Sequence, residues 1–289
     1  MNEKNSARLK LAFSMAVFGT IGLFVRMIPL PSAEIALYRA ILAVVLIGVF
    51  LLVTRQKIPF GIIKKQLPLL IVSGVAVGFN WILLFEAYKY TTVSAATLSY
   101  YFAPVIVTLL CPIIFREKMT AKRWICFFMS TLGIVLITGN GGGAASNHLL
   151  GVILGLCAAC LYAFAVLVNK AIKNVGGIHR TFLQFVAACA VLVPYTALTG
   201  GFHISVLDTT GIAALLTVGI LHTGVTYCLY FSSLKDISGQ KAALLSYIDP
   251  LVAVVISVFV LGEPITILQI AGGLLVLGFT LWNELGQDE

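Results

Sequence analysis

The sequence predicts an all-α membrane protein: ten transmembrane helices arranged as two inverted-topology five-helix repeats, with both termini cytoplasmic. Composition is the first reason. Of 289 residues, 60% are hydrophobic and only 10% charged, with mean hydropathy +1.04, whereas a soluble domain carries roughly 25% charged residues. At about 20 residues per span, ten spans use about 200 residues and leave connections of roughly eight. No soluble catalytic domain, ATPase or receptor ectodomain fits in that remainder, and no obligate ATPase subunit is expected. The second and third reasons are ten apolar runs and a segment that recurs in register later in the chain.

The runs fall at 11–28, 35–53, 67–85, 93–115, 124–139, 149–168, 181–199, 211–232, 242–261 and 265–282. With the N-terminus inside, every Lys and Arg except Arg26, Arg39 and Lys89 lies in an inner segment. The outer loops 140–148 and 200–210 contain neither residue type. The positive-inside rule therefore places both termini in the cytoplasm of a multi-pass protein of the cell (inner) membrane. The first run continues to Arg26 without a small-residue cleavage site, so it reads as a retained helix rather than a signal peptide. The net charge of +8 is spread over loops, which excludes a nucleic-acid face. All six cysteines fall inside apolar runs and read as packing residues. That includes the Cys157-x-x-Cys160 pair, which lacks partner ligands. No metal or cofactor is expected.

Sliding the chain by 146 residues aligns 78–120 with 224–266 without a gap, matching Lys89 with Lys235, Tyr101 with Tyr247, Pro104 with Pro250, Glu117 with Glu263 and Thr120 with Thr266. These residue types are scarce here, so the match marks a duplication. Each copy holds five spans, an odd number, so the second copy must enter the membrane from the opposite side. The repeats are 1–143 and 144–289, and the linker Gly139–Asn147 lacks the Gly-Lys-Ser/Thr of a phosphate loop.

The paired segments "TTVSAATLSYYFAPVIVTLLCPIIFREKMT" and "ISGQKAALLSYIDPLVAVVISVFVLGEPIT" resemble the EamA module of the drug/metabolite transporter superfamily. The specific parts are a Pro about a dozen residues before a Glu, and the glycines of the following helix: Gly133 in one copy, Gly272, Gly273 and Gly278 in the other. The resemblance covers nearly the whole chain. It implies a ten-helix secondary transporter, commonly an exporter of amino acids or other small metabolites.

Inverted repeats place a site near the bilayer midplane at their interface and expose it alternately to either side. Pro104 and Pro250 remove a helix hydrogen bond in mid-span, leaving a kink or carbonyls that line a cavity. Asp249 costs about 2.5–3.5 kcal/mol to insert at a helix centre, which a single Leu offsets by only about 0.3–0.6 kcal/mol. A functional carboxylate competes there with a polar group satisfied by broken backbone. Its repeat partner is Ala103, so the site is asymmetric. His222, near the centre of its span, is a candidate for proton coupling with Asp249, against the plainer role of a packed histidine. Asn80 and Trp81 align with Thr226 and Tyr227; with Tyr100, Tyr101 and Tyr247 they would line a small-molecule pocket. Trp124, Trp282, Tyr88 and Tyr90, near span ends, read as interfacial anchors. Arg39, about one turn inside its span, would snorkel, pair with Glu86 or bind a substrate carboxylate. Glu117 and Glu263 precede new helices with Thr120 and Thr266 as N-caps, which suggests a structural role. The spacing of Gly74/Gly78 and Gly151/Gly155 allows close helix approach.

No His-Glu-x-x-His or Gly-x-Ser-x-Gly occurs, and three of the four histidines (His148, His179, His203) sit in loops or at span ends, so an enzyme is not expected. The reading is a proton-coupled exporter of amino-acid-type compounds, with the small molecule, protons and the lipid bilayer as partners. The alternative is an uncoupled facilitator or uptake carrier for cationic amphiphiles or other metabolites.

Overall fold

The computed structural model describes residues 3–56, 60–115, 120–139, 147–234, 237 and 239–285. Lys57, Arg116, Glu117, Lys118, Lys235, linker residues 140–146 and the side chains of Lys4, Cys111 and Lys241 lie outside the described set. Among the described residues the chain is helical, without strands. The helices are α1 (Glu3–Gly19), α2 (Ile21–Arg26), α3 (Ser32–Val53), α4 (Phe60–Tyr90), α5 (Val93–Tyr100), α6 (Ala103–Phe115) and α7 (Ala121–Gly139). They continue as α8 (His148–Ala171), α9 (Gly177–Thr199), α10 (Thr209–Leu216), α11 (Thr226–Ser233), α12 (Gly239–Ser246), α13 (Ile248–Val255) and α14 (Ile267–Glu284). A π-helical segment, Thr217–Val225, joins α10 to α11, and a second, Ile256–Val260, extends α13. Eight described stretches are long and apolar enough to cross a membrane, and two shorter apolar helices, Leu244–Val260 and Ile267–Asn283, complete the series. All ten fall on the apolar runs of the sequence.

Three runs are broken rather than continuous. The first breaks at Thr20, the fourth at Tyr101–Phe102 and the ninth at Tyr247. The duplicated prolines explain two of the breaks more sharply than a kink does. Pro104 and Pro250 sit in the first turns of α6 and α13, where a missing N–H forfeits no intrahelical bond. The chain therefore restarts its helix at each proline instead of bending through it. Elsewhere local chemistry fixes the helix starts. Thr92 caps α5 by accepting the Ala95 N–H, Asp208 caps α10, and Thr266 forms a capping box with Gln269 at the start of α14. Thr120 accepts the Arg123 N–H and starts α7 in the same way.

The packing is pseudo-symmetric. α4 packs on α8 as α11 packs on α1, α5 on α8 as α12 on α1, α6 on α8 as α13 on α1, and α3 on the Thr217–Val225 segment as α9 on α4; α7 with α14 and α3 with α9 are self-symmetric pairs. Exchanging the two copies maps this set of contacts onto itself. At the α7–α14 crossing the backbones nearly touch. A Cβ at Gly272 would lie 2.5 Å from the Gly133 carbonyl, and one at Gly133 would lie 2.6 Å from that of Gly272. Gly133 also faces Val276 while Ile137 faces Gly272, so these helices run antiparallel. Gly74 and Gly78 pack on α9, Gly151 on Thr91 in the turn before α5 and Gly155 on α5 itself, whereas Gly278 meets nothing within 4 Å.

Replacing Gly272 with Val is therefore expected to destabilise the protein by at least about 1–3 kcal/mol through overpacking. Gly278→Ala should leave the melting temperature in detergent unchanged. Equal melting temperatures for both variants would contradict the crossing.

Candidate functional site

The site is built where the helix breaks and the π-helical segment meet the long helices α3 and α4. Arg39 of α3 is 4% exposed and sits in the interior rather than snorkelling. Its Nε donates to Thr223 Oγ1 at 2.7 Å, and its guanidinium carbon lies 4.3 Å from the centre of the Trp81 ring and 5.6 Å from that of Phe85. Among the described residues no carboxylate forms an ion pair with it. The expected pairing with Glu86 is not made, because Glu86 accepts from Ser32 at 2.6 Å and pairs with Lys89 at 3.0 Å. The wide turns of the π-helical segment make this geometry. Thr223 donates to the Val218 carbonyl five residues back, which leaves its oxygen facing Arg39.

Aromatic rings extend from this cation. Trp81 meets Phe185 edge-to-face at 5.0 Å, Phe185 meets Tyr227 at 5.3 Å, and Tyr227 meets Phe18 at 5.2 Å. Tyr88, expected as an interfacial anchor, is instead 3% exposed, lies near Thr97, and is an electrostatic neighbour of Arg39. Hydropathy put it at a span end; the extension of α4 to Tyr90 keeps it inside. Trp124 and Trp282, by contrast, are each 44% exposed, the position expected of anchors.

The carboxylate half lies at the paired helix breaks. Tyr101, in the break before α6, donates its hydroxyl to Asp249 Oδ2 at 2.7 Å across the two repeats. Asp249 is half-buried on the first turn of α13. Tyr100 packs against Tyr101 and, at 5.4 Å, against Tyr162 of α8. Asn80 is fully buried and donates to the Ala158 carbonyl at 2.6 Å. Tyr247 is buried at the break before α13. The two halves share neighbours: Tyr88, Tyr100 and Tyr227 each lie within electrostatic range of both Arg39 and Asp249.

His222 is fully buried but does not contact Asp249. Its Nε2 lies 2.8 Å from Thr20 Oγ1 at the α1–α2 break, its Nδ1 lies 3.1 Å from the Thr217 carbonyl, and Phe24 packs edge-on. The donor count is tight. The Thr20 hydroxyl also reaches the Val17 carbonyl at 2.8 Å, so all three contacts are hydrogen bonds only when both ring nitrogens carry protons. A neutral ring forfeits one of them.

Sequence reasoning missed Tyr88, Thr223, Phe185, Tyr162 and Thr20. None carries a charge, and only the fold brings them to the cluster. Two surface crevices of about 480 and 600 Å³ lie elsewhere, along the flank where α4 meets α9, and are lined by none of Arg39, His222 or Asp249. Among the described residues no cluster of His, Cys, Asp or Glu could hold a metal ion.

Thr223→Val keeps the shape but removes the oxygen that Arg39 uses. Leaving that buried N–H without an acceptor should lower stability by about 1–3 kcal/mol. Thr223→Ser should retain wild-type thermal unfolding, and equal unfolding of the two variants would contradict the contact.

Both halves of the chain, residues 6–139 and 149–283, match the EamA-like transporter family. The uncharacterized transporter YxxF of Bacillus subtilis is 32% identical over 256 residues, covering 88% of this chain and 81% of that one. An uncharacterized transporter of Archaeoglobus fulgidus is 26% identical over 279 residues, covering 95% of each. A protein of known crystal structure superposes with a TM-score of 0.65 at 16% identity, covering 97% of both chains, and so shares the fold. Two copies of one module, a continuous series of apolar helices and relatives named as transporters agree: this chain belongs to the EamA-like transporter family and is a multi-pass membrane transporter.

Proposed function

We propose that the chain crosses the membrane ten times with both termini cytoplasmic, and that its inverted repeats, 1–143 and 144–289, alternate access to the Arg39–Asp249 cluster. On this reading it is a proton-coupled exporter of amino-acid-type compounds. The antiparallel α7–α14 crossing supports the inversion, since equivalent helices of inverted repeats must run in opposite directions.

One observation carries the substrate reading. Among the described residues, a buried guanidinium without a carboxylate and a half-buried carboxylate without a cation lie within electrostatic range of the same tyrosines. A zwitterion neutralises both ends, its carboxylate on Arg39 and its ammonium on Asp249, with aromatic faces between them. Coupling then follows from competition. Asp249 holds either a proton or the substrate ammonium, so release of cargo outside frees the carboxylate to bring a proton inward. Each coupled charge is worth about 2.3 kcal/mol per 100 mV. His222, next to Thr223 and bonded to Thr20 of the other repeat, is a second candidate for coupling.

The test is flux in proteoliposomes with an imposed pH gradient, using radiolabelled amino acids, amines and nucleosides. Amino-acid flux that follows the gradient is the expected result. Saturable flux indifferent to the gradient would establish the facilitator alternative. Arg39→Gln should reduce zwitterion transport at least tenfold while leaving amine transport near wild type, and equal losses would end the division of labour. Asp249→Asn, with insertion retained, should lose the response to the pH gradient; a wild-type pH dependence in that variant would refute coupling through Asp249.

A further inference from the structure

At the far end of α13 from Asp249 a second charged group crosses between the repeats. Glu263 follows the second π-helical segment and is held by Gly262, whose φ of +63° makes the left-handed turn there. Its side chain is 9% exposed and pairs with Arg26, at the end of α2, at 2.6 Å. The Glu263 carboxylate also accepts the Val93 N–H at 2.8 Å and the Ser257 hydroxyl. Ser257 in turn accepts the Ser94 N–H at 3.2 Å, and Arg26 donates to the Thr91 carbonyl at 2.6 Å. The helix N-terminus that Glu263 serves is thus that of α5 in the other repeat, not that of α14, which Thr266 and Gln269 cap.

These bonds fasten α2 and α5 of the first repeat to the end of α13 in the second. Glu263 turns back so that its carboxylate meets Ser257, eight positions from Asp249 or roughly 12 Å along a helix, so the clasp lies about two-fifths of a hydrocarbon thickness from the carboxylate site. It lies on the side opposite the termini. A partly buried ion pair with further hydrogen bonds is strong while closed. Breaking it requires hydration of both charges, which suits a contact that opens and shuts as a unit.

We infer that Arg26 and Glu263 form the gate that closes the outer end of the transport path and separates once in each cycle. The inference rests on the alternating-access reading above, but not on the cargo or its coupling.

The test needs no substrate. A reporter cysteine, Thr97→Cys, sits one turn beyond Ser94 on α5, at a position 5% exposed between the clasp and the site. Its labelling by a membrane-impermeant maleimide added outside is read by mass spectrometry at that residue. With Glu263→Gln added, labelling should accelerate at least tenfold. Arg26→Gln, which leaves Glu263 on Val93 and Ser257, should produce a smaller rise. An unchanged rate in an inserted variant overturns the gate. If neither variant inserts, amide hydrogen exchange in the unmutated chain decides: Val93 and Ser94 should exchange at least tenfold faster than Ser99, and equal protection would overturn the inference. Failure of proton-driven export would leave both readouts unchanged, so the two readings fail separately.

Discussion

A guanidinium buried in the protein interior governs the arrangement of its surroundings. Burying a charge in low dielectric is costly unless hydrogen bonds, dipoles or a counter-ion replace water. Here Arg39 has one hydroxyl, two aromatic faces and no acidic partner among the described residues. Thr223 can supply that hydroxyl only because the backbone around it widens to a π-helix, and Trp81 can supply its face only because α3 and α4 pack side by side. The stabilisation is partial by construction, and the remaining donors favour an anion arriving from outside the fold. A site that is incomplete when empty has reason to bind and, once its charge is offset, reason to rearrange.

The second charge obeys a different constraint. Asp249 stands where its repeat partner is Ala103, on a helix that restarts at a proline, so the duplication supplied the break and divergence supplied the carboxylate. The other copy contributes Tyr101, whose hydroxyl spans the repeat interface to reach it. Each repeat therefore holds half of a polar contact that relative motion of the repeats would stretch. The clasp at Arg26 and Glu263 follows the same logic at the end of the bundle, with a cation from one copy and a carboxylate from the other. Other polar contacts between the copies lie along the bundle, among them Asn80 with the Ala158 carbonyl, Gln184 with Ser73 and Asn283 with Thr108.

Much of the fold was legible because membrane insertion imposes a coarse code: apolar runs, charged loops and prolines at helix restarts. The repeat register paired Tyr101 with Tyr247 and Pro104 with Pro250, and both pairs lie at broken helices. Depth was harder to read. Hydropathy averages over a window, so it placed Arg39 at a mouth and Tyr88 in an interfacial belt, although both are buried. The π-helical segments left no mark in the sequence, since their residues also suit an α-helix, and His222, which lies in one of them, meets Thr20 rather than Asp249. Glu263 was legible as a repeated acid before a helix, but its partner Arg26 is far away in sequence, and only the closed fold joins them.

On the proposed reading Arg39, stacked on Trp81, receives the carboxylate of the cargo. Trp124 and Trp282 lie at the surface, so replacing both with Phe leaves Trp81 as the only tryptophan and makes its fluorescence a direct report of the site. Titration with α-amino acids should change that emission saturably, and the matching amino-acid amides, which lack the carboxylate, should leave it unchanged. Equal responses to acids and amides would contradict an anion site at Arg39.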